Sequence, residues 1–474
     1  MPVDSTKARA IKVLFASAEF APLATVGGLG LASAGLVHEL RRQGVEVILA
    51  LPDYFGTELT NEEVIDLDTP TWVGPARARS GRLDGVGDVV LVSVADIARP
   101  HPYLAADGTG WADNDRRFFA FSAAVAVLFR VVGADVLHLN DWHTATALAH
   151  FAELPPTVFT VHTLGYQGAS DIGWLDAFPF HPRAFERWGA TNPVAGAIRL
   201  SDVVVSVSPT YAAEIRTPEG GFGLDDLLRE RGDALIGVLN GIDTGIWNPS
   251  IDAHLEATYS AARMAGKEAC TSSLRDEMGL PASDGPLIGM VTRLTEQKGV
   301  DLALACIPFL AGMNAQLVVL GAGDASLTTQ LSQMAASYPN QVAFRSGYDD
   351  GLSHRIVAGS DLFLMPSRFE PCGLAQMQAM QYGSIPVVTD VGGLHDTVID
   401  VDAHPDTGTG IVAQHASTLA ILDALHRAVR MWHSKSRRNA ARRRGMHIDW
   451  SWKIPARQYI AKYGEILGSN KPNR

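Results

Sequence analysis

Short, continuous runs of apolar and often β-branched residues recur along this chain, and they fall into two sets. Runs of this length that do not alternate with polar residues are what parallel strands buried on both faces look like. The first set is Ile11–Ala16, Val45–Leu51, Val89–Ser93, Val136–Leu139, Thr157–Val161, Val203–Ser206 and Leu235–Leu239. The second opens at Leu287–Val291 and continues with Leu317–Leu320, Val342–Arg345, Leu362–Met365 and Pro386–Thr389. A less regular, partly polar stretch from about Asn248 to Gly285 separates them. Apolar residues at helical spacing over Ala32–Arg42, Phe118–Phe129, Thr144–Phe151 and Val300–Leu310 place helices between strands. Strand, helix, strand in repetition is the βαβ pattern, and 474 residues are too many for one ordinary core. The expectation is an α/β protein of two Rossmann-like, doubly wound domains facing across a cleft. Ligands would lie at the carboxyl ends of the strands, where such sheets bind them.

Composition narrows the class of partner. Apolar residues make up 47% and charged ones 19%, a globular balance. A net charge of -12 argues against a nucleic-acid partner, which needs a basic surface. The basic run Arg437–Arg444 reads as a solvated helical face. Cys270, Cys306 and Cys372 are odd in number and scattered, which suits a reducing cytosol and neither a disulfide framework nor a zinc site. The start Met1–Ala10 is polar, and the apolar run Ile11–Ala18 is halted by Glu19. That run is too short for a signal peptide or a membrane span, so a cytoplasmic protein without a membrane partner is expected.

The residues that could do chemistry stand where strands end. Gly27 and Gly28 lie between the first strand and its helix, where glycine lets backbone approach a phosphate and a helix N-terminus offers N–H groups. The same turn could serve only to pack helix on strand. Arg293 and Lys298, five residues apart after the strand Leu287–Val291, could neutralise a departing diphosphate. Alternatively they are surface cations paired with Glu296. Glu370, in Ser367-Arg368-Phe369-Glu370-Pro371-Cys372-Gly373-Leu374, follows the strand Leu362–Met365. It could orient a sugar hydroxyl or stabilise positive charge, or simply favour a helix N-terminus. His162 closes one strand and Asp141-Trp142-His143 another, as residues lining a cleft would. No His, Cys, Asp and Glu cluster has metal-ligand spacing, and neither Ser208 nor Ser367 sits in a hydrolase elbow.

Taken in order, these segments resemble the bacterial glycogen synthases and plant starch synthases over nearly the whole chain. The resemblance rests on Ala18-Glu19-Phe20-Ala21-Pro22-Leu23 with Gly27-Gly28-Leu29, Asn140-Asp141-Trp142-His143 and Phe159-Thr160-Val161-His162. It continues through Val207-Ser208-Pro209-Thr210-Tyr211, Asn240-Gly241-Ile242-Asp243, Arg293 to Gly299, Gly321-Ala322-Gly323-Asp324, Gly347-Tyr348-Asp349, Pro366 to Leu374, and Asp449-Trp450-Ser451-Trp452. It implies a metal-independent, retaining glycosyltransferase of the two-domain kind called GT-B, with no cofactor beyond its nucleoside-diphosphate sugar. It implies domains over 1–247 and 248–450, the latter binding the nucleotide sugar, with 451–474 as a last helix returning to the first domain. Arg293 and Lys298 would hold the diphosphate, Glu370 would lie near the anomeric carbon, and His162 would contact the transferred sugar. Tyr348 would stack on the base, with Gly27, Gly28, Cys372, Gly373, Leu374 and Gln376 completing the donor site. Thr25, Asp141, Trp142 and Asn240 would serve the sugar or the acceptor.

Departures from the family pattern bear on substrate. Its lysine before Gly-Gly is Thr25, followed by Val26, and its aspartate after that loop is Leu31. Its asparagine after the strand-end histidine is Thr163, and a lysine of its middle region is Ala195. Ala375 and Gln378 replace a threonine and a tyrosine, and Thr389-Asp390-Val391 replaces Arg-Arg-Thr. Charge-assisted donors are lost around the sugar and distal phosphate while the diphosphate-handling set is kept. Besides a carbohydrate acceptor, this leaves open a pseudoglycosyltransferase joining a nucleotide-activated cyclitol to an amino sugar. A catalytically degenerate sugar-nucleotide binding protein is a further alternative. A pyridoxal phosphate phosphorylase would share the architecture, but no motif presents its Schiff-base lysine.

Overall fold

The computed structural model describes residues 9–106 and 108–469. Residues 1–8 of the polar start and 470–474 of the last segment lie outside the described residues. The chain divides into two compact units, one formed by Met1–Gly241 with Trp452–Arg474 and the other by Ile242–Ser451.

The first unit is built on a nine-stranded sheet. Its strands are β1 (Lys12–Ala16), β2 (Glu46–Pro52), β3 (Thr60–Leu67), β4 (Ala76–Leu83), β5 (Gly87–Ser93), β6 (Val136–Asn140) and β7 (Thr157–Val161). A small separate hairpin, β8 (Glu186–Arg187) and β9 (Ala190–Thr191), precedes β10 (Val203–Ser206) and β11 (Leu235–Gly237). The order is β11-β10-β7-β6-β1-β2-β5-β4-β3, parallel from β11 to β5 and antiparallel through β4 and β3. Each expected strand is present, but β3 and β4 were not legible as apolar runs. The reason is that β3, Thr-Asn-Glu-Glu-Val-Ile-Asp-Leu, is exposed along nearly its whole length at the sheet edge. Antiparallel edges can face water, so their sequence need not be continuously apolar.

On one face of this sheet Val13 and Phe15 share a core with Leu36, Val37 and Leu40 of the helix Gly28–Arg42. The last helix, Lys453–Gly468, adds Ala456, Tyr459, Tyr463 and Ile466, and Trp452 precedes it. Gly35 permits that packing, because a Cβ there would sit 1.9 Å from Trp452 Nε1. Inside the sheet, His138 Nδ1 lies 2.6 Å from Tyr463 Oη, and its Nε2 lies 2.8 Å from Thr160 Oγ1. Burial holds its pKa down at about 3, so the imidazole is neutral and both nitrogens are partnered. The helix expected at Thr144–Phe151 is a short helix, Trp142–Ala145, running into a 3₁₀ segment, Thr146–His150.

The second unit carries a six-stranded parallel sheet: β12 (Leu287–Val291), β13 (Gln316–Gly321), β14 (Val342–Ser346), β15 (Leu362–Met365), β16 (Ile385–Thr389) and β17 (Ile411–Ala413). The order is β14-β13-β12-β15-β16-β17. Along β13, Leu317 and Val319 enter one core with the helices Val300–Cys306 and Thr418–His433. Val318 and Leu320 enter another with Ala265–Met278 and Asp350–Gly359. Burial of alternate side chains on opposite faces makes this unit doubly wound too. The polar stretch before β12 therefore contains a regular helix, Ala265–Met278, which its polar residues conceal.

The basic run is not the free solvated face its composition suggests. On the helix Lys435–His447, Arg442 donates to Asp361 (2.6 Å) and Arg444 to the carbonyl of Gly408 (2.7 Å). Arg438 lies over the ring of Trp432 at 4.8 Å. Half-buried guanidinium groups tie this helix to the rest of its unit, because arginine can bury its stem and still satisfy its head. No helix among the described residues is long and apolar enough to cross a membrane.

Candidate active site

In the second unit two loops at the carboxyl ends of β12 and β15 are drawn together. Gly299 makes this possible: its φ is +65, and a Cβ there would stand 1.9 Å from the carbonyl oxygen of Pro366. Arg368 N donates to Gln297 O (2.8 Å), and the Arg368 guanidinium grips both carboxylate oxygens of Asp301 at 2.7 Å. The result is that Lys298 Nζ donates to Glu370 Oε2 at 2.6 Å, and Ser367 Oγ donates to the same oxygen at 3.0 Å. Glu370 is only 4% exposed, so its carboxylate is buried with a cation and a hydroxyl at one oxygen. Lys298 therefore pairs with Glu370 and not with Glu296, whose carboxylate lies 4.0 Å from Arg368.

Arg293 stands exposed on the same loop, with no side-chain partner among the described residues. That leaves an unneutralised guanidinium on the loop that also carries Lys298. The loop beyond Glu370 is fixed from below. Gly393 N donates to Glu370 O (2.9 Å) and Thr389 Oγ1 to Ser367 O (2.5 Å). Gly373 has φ +71, and Cys372 is buried. Gln376 is fully buried, and its Nε2 donates to the carbonyls of Cys372 (3.0 Å) and Gly373 (2.8 Å). Its Oε1 is buried without a hydrogen-bond partner among the described residues, so Gln376 braces the loop through its amide nitrogen. Leu374 precedes the helix Ala375–Gln381, whose first-turn N–H groups face the loop side. Tyr348, after β14, is 82% exposed, and its hydroxyl donates to Asp350 Oδ1 at 3.1 Å.

In the first unit His162, Asp141 and Asn140 meet at the ends of β6 and β7. His162 N donates to Asp141 Oδ1 (2.7 Å), and Asp141 adopts φ +52 to receive it. Asn140 Nδ2 donates to Ala16 O (2.9 Å), which orients its Oδ1 toward His162 Nε2 at 3.0 Å. His162 therefore carries its proton on Nε2 and presents Nδ1 as an acceptor. Burial lowers the His162 pKa to about 3. Burial raises the Asp141 pKa to about 7, against the N–H donors of His162 and Thr163 and helped by the nearby charge of Glu19. Trp142 packs against the following loop at Gly168, where a Cβ would lie 2.3 Å from its ring. Asn240 is buried beyond β11, and Thr25 is exposed on the glycine loop.

Glu19 was missed as a site residue. It is buried, and its Oε2 accepts from Val26 N (2.7 Å) and Gly27 N (3.0 Å) while Oε1 accepts from Tyr103 Oη (2.8 Å). The Gly27 N–H expected to meet phosphate is thus already engaged by a carboxylate of the chain itself. The available signal was a charged residue at the end of a buried strand, which requires a partner. Tyr103 lies far away in sequence and gave no signal.

Comparison with known proteins accords with this geometry. Residues 12–230 match the family described as the starch synthase catalytic domain, and residues 276–445 match glycosyl transferases group 1. A glycogen synthase of Halorhodospira halophila is 42% identical over 97% of this chain and 100% of its own length. One from Alkalilimnicola ehrlichii is 40% identical over the same shares. The catalytic domain of starch synthase IV from Arabidopsis thaliana, solved with ADP and acarbose, superposes with a TM-score of 0.88 at 33% identity, over 97% of this chain and 100% of that one. A sucrose-phosphate synthase from Thermosynechococcus elongatus, at 17% identity and a TM-score of 0.63, shares the fold. The chain belongs to the glycogen and starch synthase family, and is a retaining, nucleotide-sugar-dependent glycosyltransferase with two Rossmann-like domains.

Proposed function

We propose that this enzyme transfers a glucosyl unit from a nucleoside-diphosphate glucose to a hydroxyl of an α-glucan. The observation that carries the reading is the buried Lys298–Glu370 contact at 2.6 Å, with the unpartnered Arg293 on the same loop as Lys298. A diphosphate gains charge as its bond to the anomeric carbon breaks, and fixed cations act most strongly where charge develops. Arg293 and Lys298 meet that charge, assisted by N–H groups following Gly373. Glu370, held in place by Lys298 and Ser367, stabilises positive charge at the sugar. His162 Nδ1 accepts from a sugar hydroxyl, and Asp141 holds the backbone that places it. The acceptor oxygen bonds to the anomeric carbon on the face the diphosphate leaves, and its proton passes to the departing phosphate oxygen. The configuration is thereby retained without a second carboxylate. ADP is the first base to test, because the starch synthase IV relative was solved with it. Three cysteines, none in a disulfide, support placing this reaction in the cytoplasm.

One feature favours a second reading. Thr25, Val26 and Leu31 leave the surface of the glycine loop without a charged side chain, and Val26 and Leu31 are exposed apolar residues. Such a surface suits a ring with fewer hydroxyl groups, as in transfer of a nucleotide-activated cyclitol to an amino sugar. Thermal-shift titration with ADP-, UDP-, GDP- and dTDP-linked sugars identifies the donor by mass action. Incubation of that donor with glycogen then tests the acceptor. Chain extension at family-like rates removes the cyclitol reading, and a product with a bridging nitrogen removes the glucan one.

A further inference from the structure

We propose that His395, held by Asp390, is a specificity residue for the donor, whose Nε2 accepts a hydrogen bond from a hydroxyl of the transferred ring. This rests on the roles proposed above for Arg293, Lys298 and Glu370.

The strand order of the second sheet sets the donor out in a line. Tyr348, expected against the base, follows β14, while Arg293 and Lys298 follow β12 and Glu370 follows β15. Along the sheet these strands run β14-β13-β12-β15, so base, diphosphate and anomeric carbon take successive places at the carboxyl ends. The next strand is β16, and Asp390 is the first residue after it. Neighbouring strands lie roughly 4.8 Å apart, about the width of a sugar ring. What lies beyond the anomeric carbon, on the side away from the diphosphate, is the body of the transferred ring.

The segment after β16 is pressed against the Glu370 loop. Gly393 N donates to Glu370 O (2.9 Å), and a Cβ on Gly393 would lie 1.9 Å from the carbonyl oxygen of Cys372. Thr397 Oγ1 accepts from Gln376 Nε2 at 3.1 Å. Leu394 and Thr397 are buried toward this contact, whereas the side chains of Asp390 and His395 remain 30% and 55% exposed. His395 Nδ1 lies 2.6 Å from Asp390 Oδ1. A carboxylate only accepts, so Nδ1 carries the proton and Nε2 of the neutral ring is left as an acceptor. Nε2 has no protein partner among the described residues.

An exposed pair of this kind adds little to stability. Its effect is to fix the ring and its tautomer, which prepares an imidazole for a ligand. Charge selects the ligand atom. Next to the Asp390 carboxylate the imidazole brings no net positive charge, so the pair has nothing with which to recruit phosphate. A hydroxyl donating to Nε2 suits it. Asp390 stands in the segment Thr389-Asp390-Val391, where this chain departs from the Arg-Arg-Thr of its family, so the contact is a property of this chain.

The test compares donors that lack one hydroxyl. Wild type, His395→Ala, His395→Gln and Asp390→Asn are assayed with ADP-glucose, or the donor found by titration, and with analogues in which one ring hydroxyl at a time is replaced by hydrogen. His395→Ala is expected to lower kcat/KM for the full donor about tenfold, as loss of one neutral hydrogen bond would, with the melting midpoint unchanged. For the analogue lacking the contacted hydroxyl, wild type and His395→Ala should be equal. His395→Gln keeps an acceptor oxygen and should restore most of the loss, and Asp390→Asn should fall between. A His395→Ala enzyme equal to wild type toward the full donor, or impaired equally toward every analogue, overturns the inference, while chain extension by wild type leaves the glucan reading standing. If no nucleotide-linked hexose is transferred to glycogen, that reading fails. The same comparison of dissociation constants, measured by calorimetry with the nucleotide-linked compound that titration identifies, then supports or overturns the contact.

Discussion

Lys298 and Glu370 illustrate how one buried pair can concentrate a site's chemistry. On the proposed mechanism, replacing Lys298 by Ala removes a cation from the departing diphosphate, and it leaves buried Glu370 without its cation. Initial rates are expected to fall by roughly 10²–10³-fold in kcat, the size of effect seen when one preorganised charge donor is removed. Glu370→Gln keeps the shape and the bond from Ser367, and should lower kcat with a smaller change in donor KM. If Arg293 and Lys298 supply the positive charge as proposed, turnover in excess EDTA should equal turnover with added magnesium. Asp141 offers a pH signature. Its pKa is raised to about 7 in the fold, above that of an unfolded aspartate. The folded carboxyl thus keeps its proton when the unfolded one has lost it. Its contribution to stability is complete below about pH 4 and is lost as pH rises through about 7. Asp141→Asn should therefore flatten the dependence of the melting midpoint on pH between 4 and 7. An unchanged slope would show that Asp141 does not titrate there. Of the residue-level expectations, those about charged loop residues were readable because Arg, Lys and Glu stand out after an apolar strand. The partner each one takes was not, since Glu370 lies well beyond Lys298 in sequence and their loops meet through the close approach at Gly299 and the bonds of Arg368.

At the scale of elements, the strands buried on both faces were legible because continuous apolar runs have few other uses. The edge strand β3 and its neighbour β4 were not, since antiparallel strands open to water on a face carry polar residues, nor was the helix Ala265–Met278, whose mean composition is polar. Close helix packing gives the prediction at this scale. Gly35→Ala places a methyl group where Trp452 Nε1 now lies, 1.9 Å away. The last helix must shift, and stability should drop by about 1–3 kcal/mol in denaturant titration. Tyr463→Phe leaves one nitrogen of buried His138 without its partner, and about 1–3 kcal/mol should be lost there as well. A midpoint unchanged in both variants would show that this helix contributes little to its unit.

At the scale of the molecule, the first unit is built from two separated stretches of chain. Trp452, Tyr459, Tyr463 and Ile466 contribute to its core from the far end of the sequence. Each large side chain is worth roughly 1.5–3 kcal/mol of burial. Removal of residues 452–474 is therefore expected to destabilise the first unit severely. The second unit keeps its own two cores, and on the proposed function it should still be stabilised by nucleotide. Calorimetry should show the transition of the first unit lost or lowered and a nucleotide-sensitive one retained. The sequence by itself determined the class of fold, the presence of two Rossmann-like units and the family, because strand burial and motif order are written locally. It also determined which ionisable residues stand at strand ends. Only the tertiary structure decided which of them meet, how Glu19 engages the glycine loop, and that Gln376 donates to the backbone of its own loop. Those outcomes depend on where glycines let segments distant in sequence approach within bonding range, a property of the folded chain that no local pattern records.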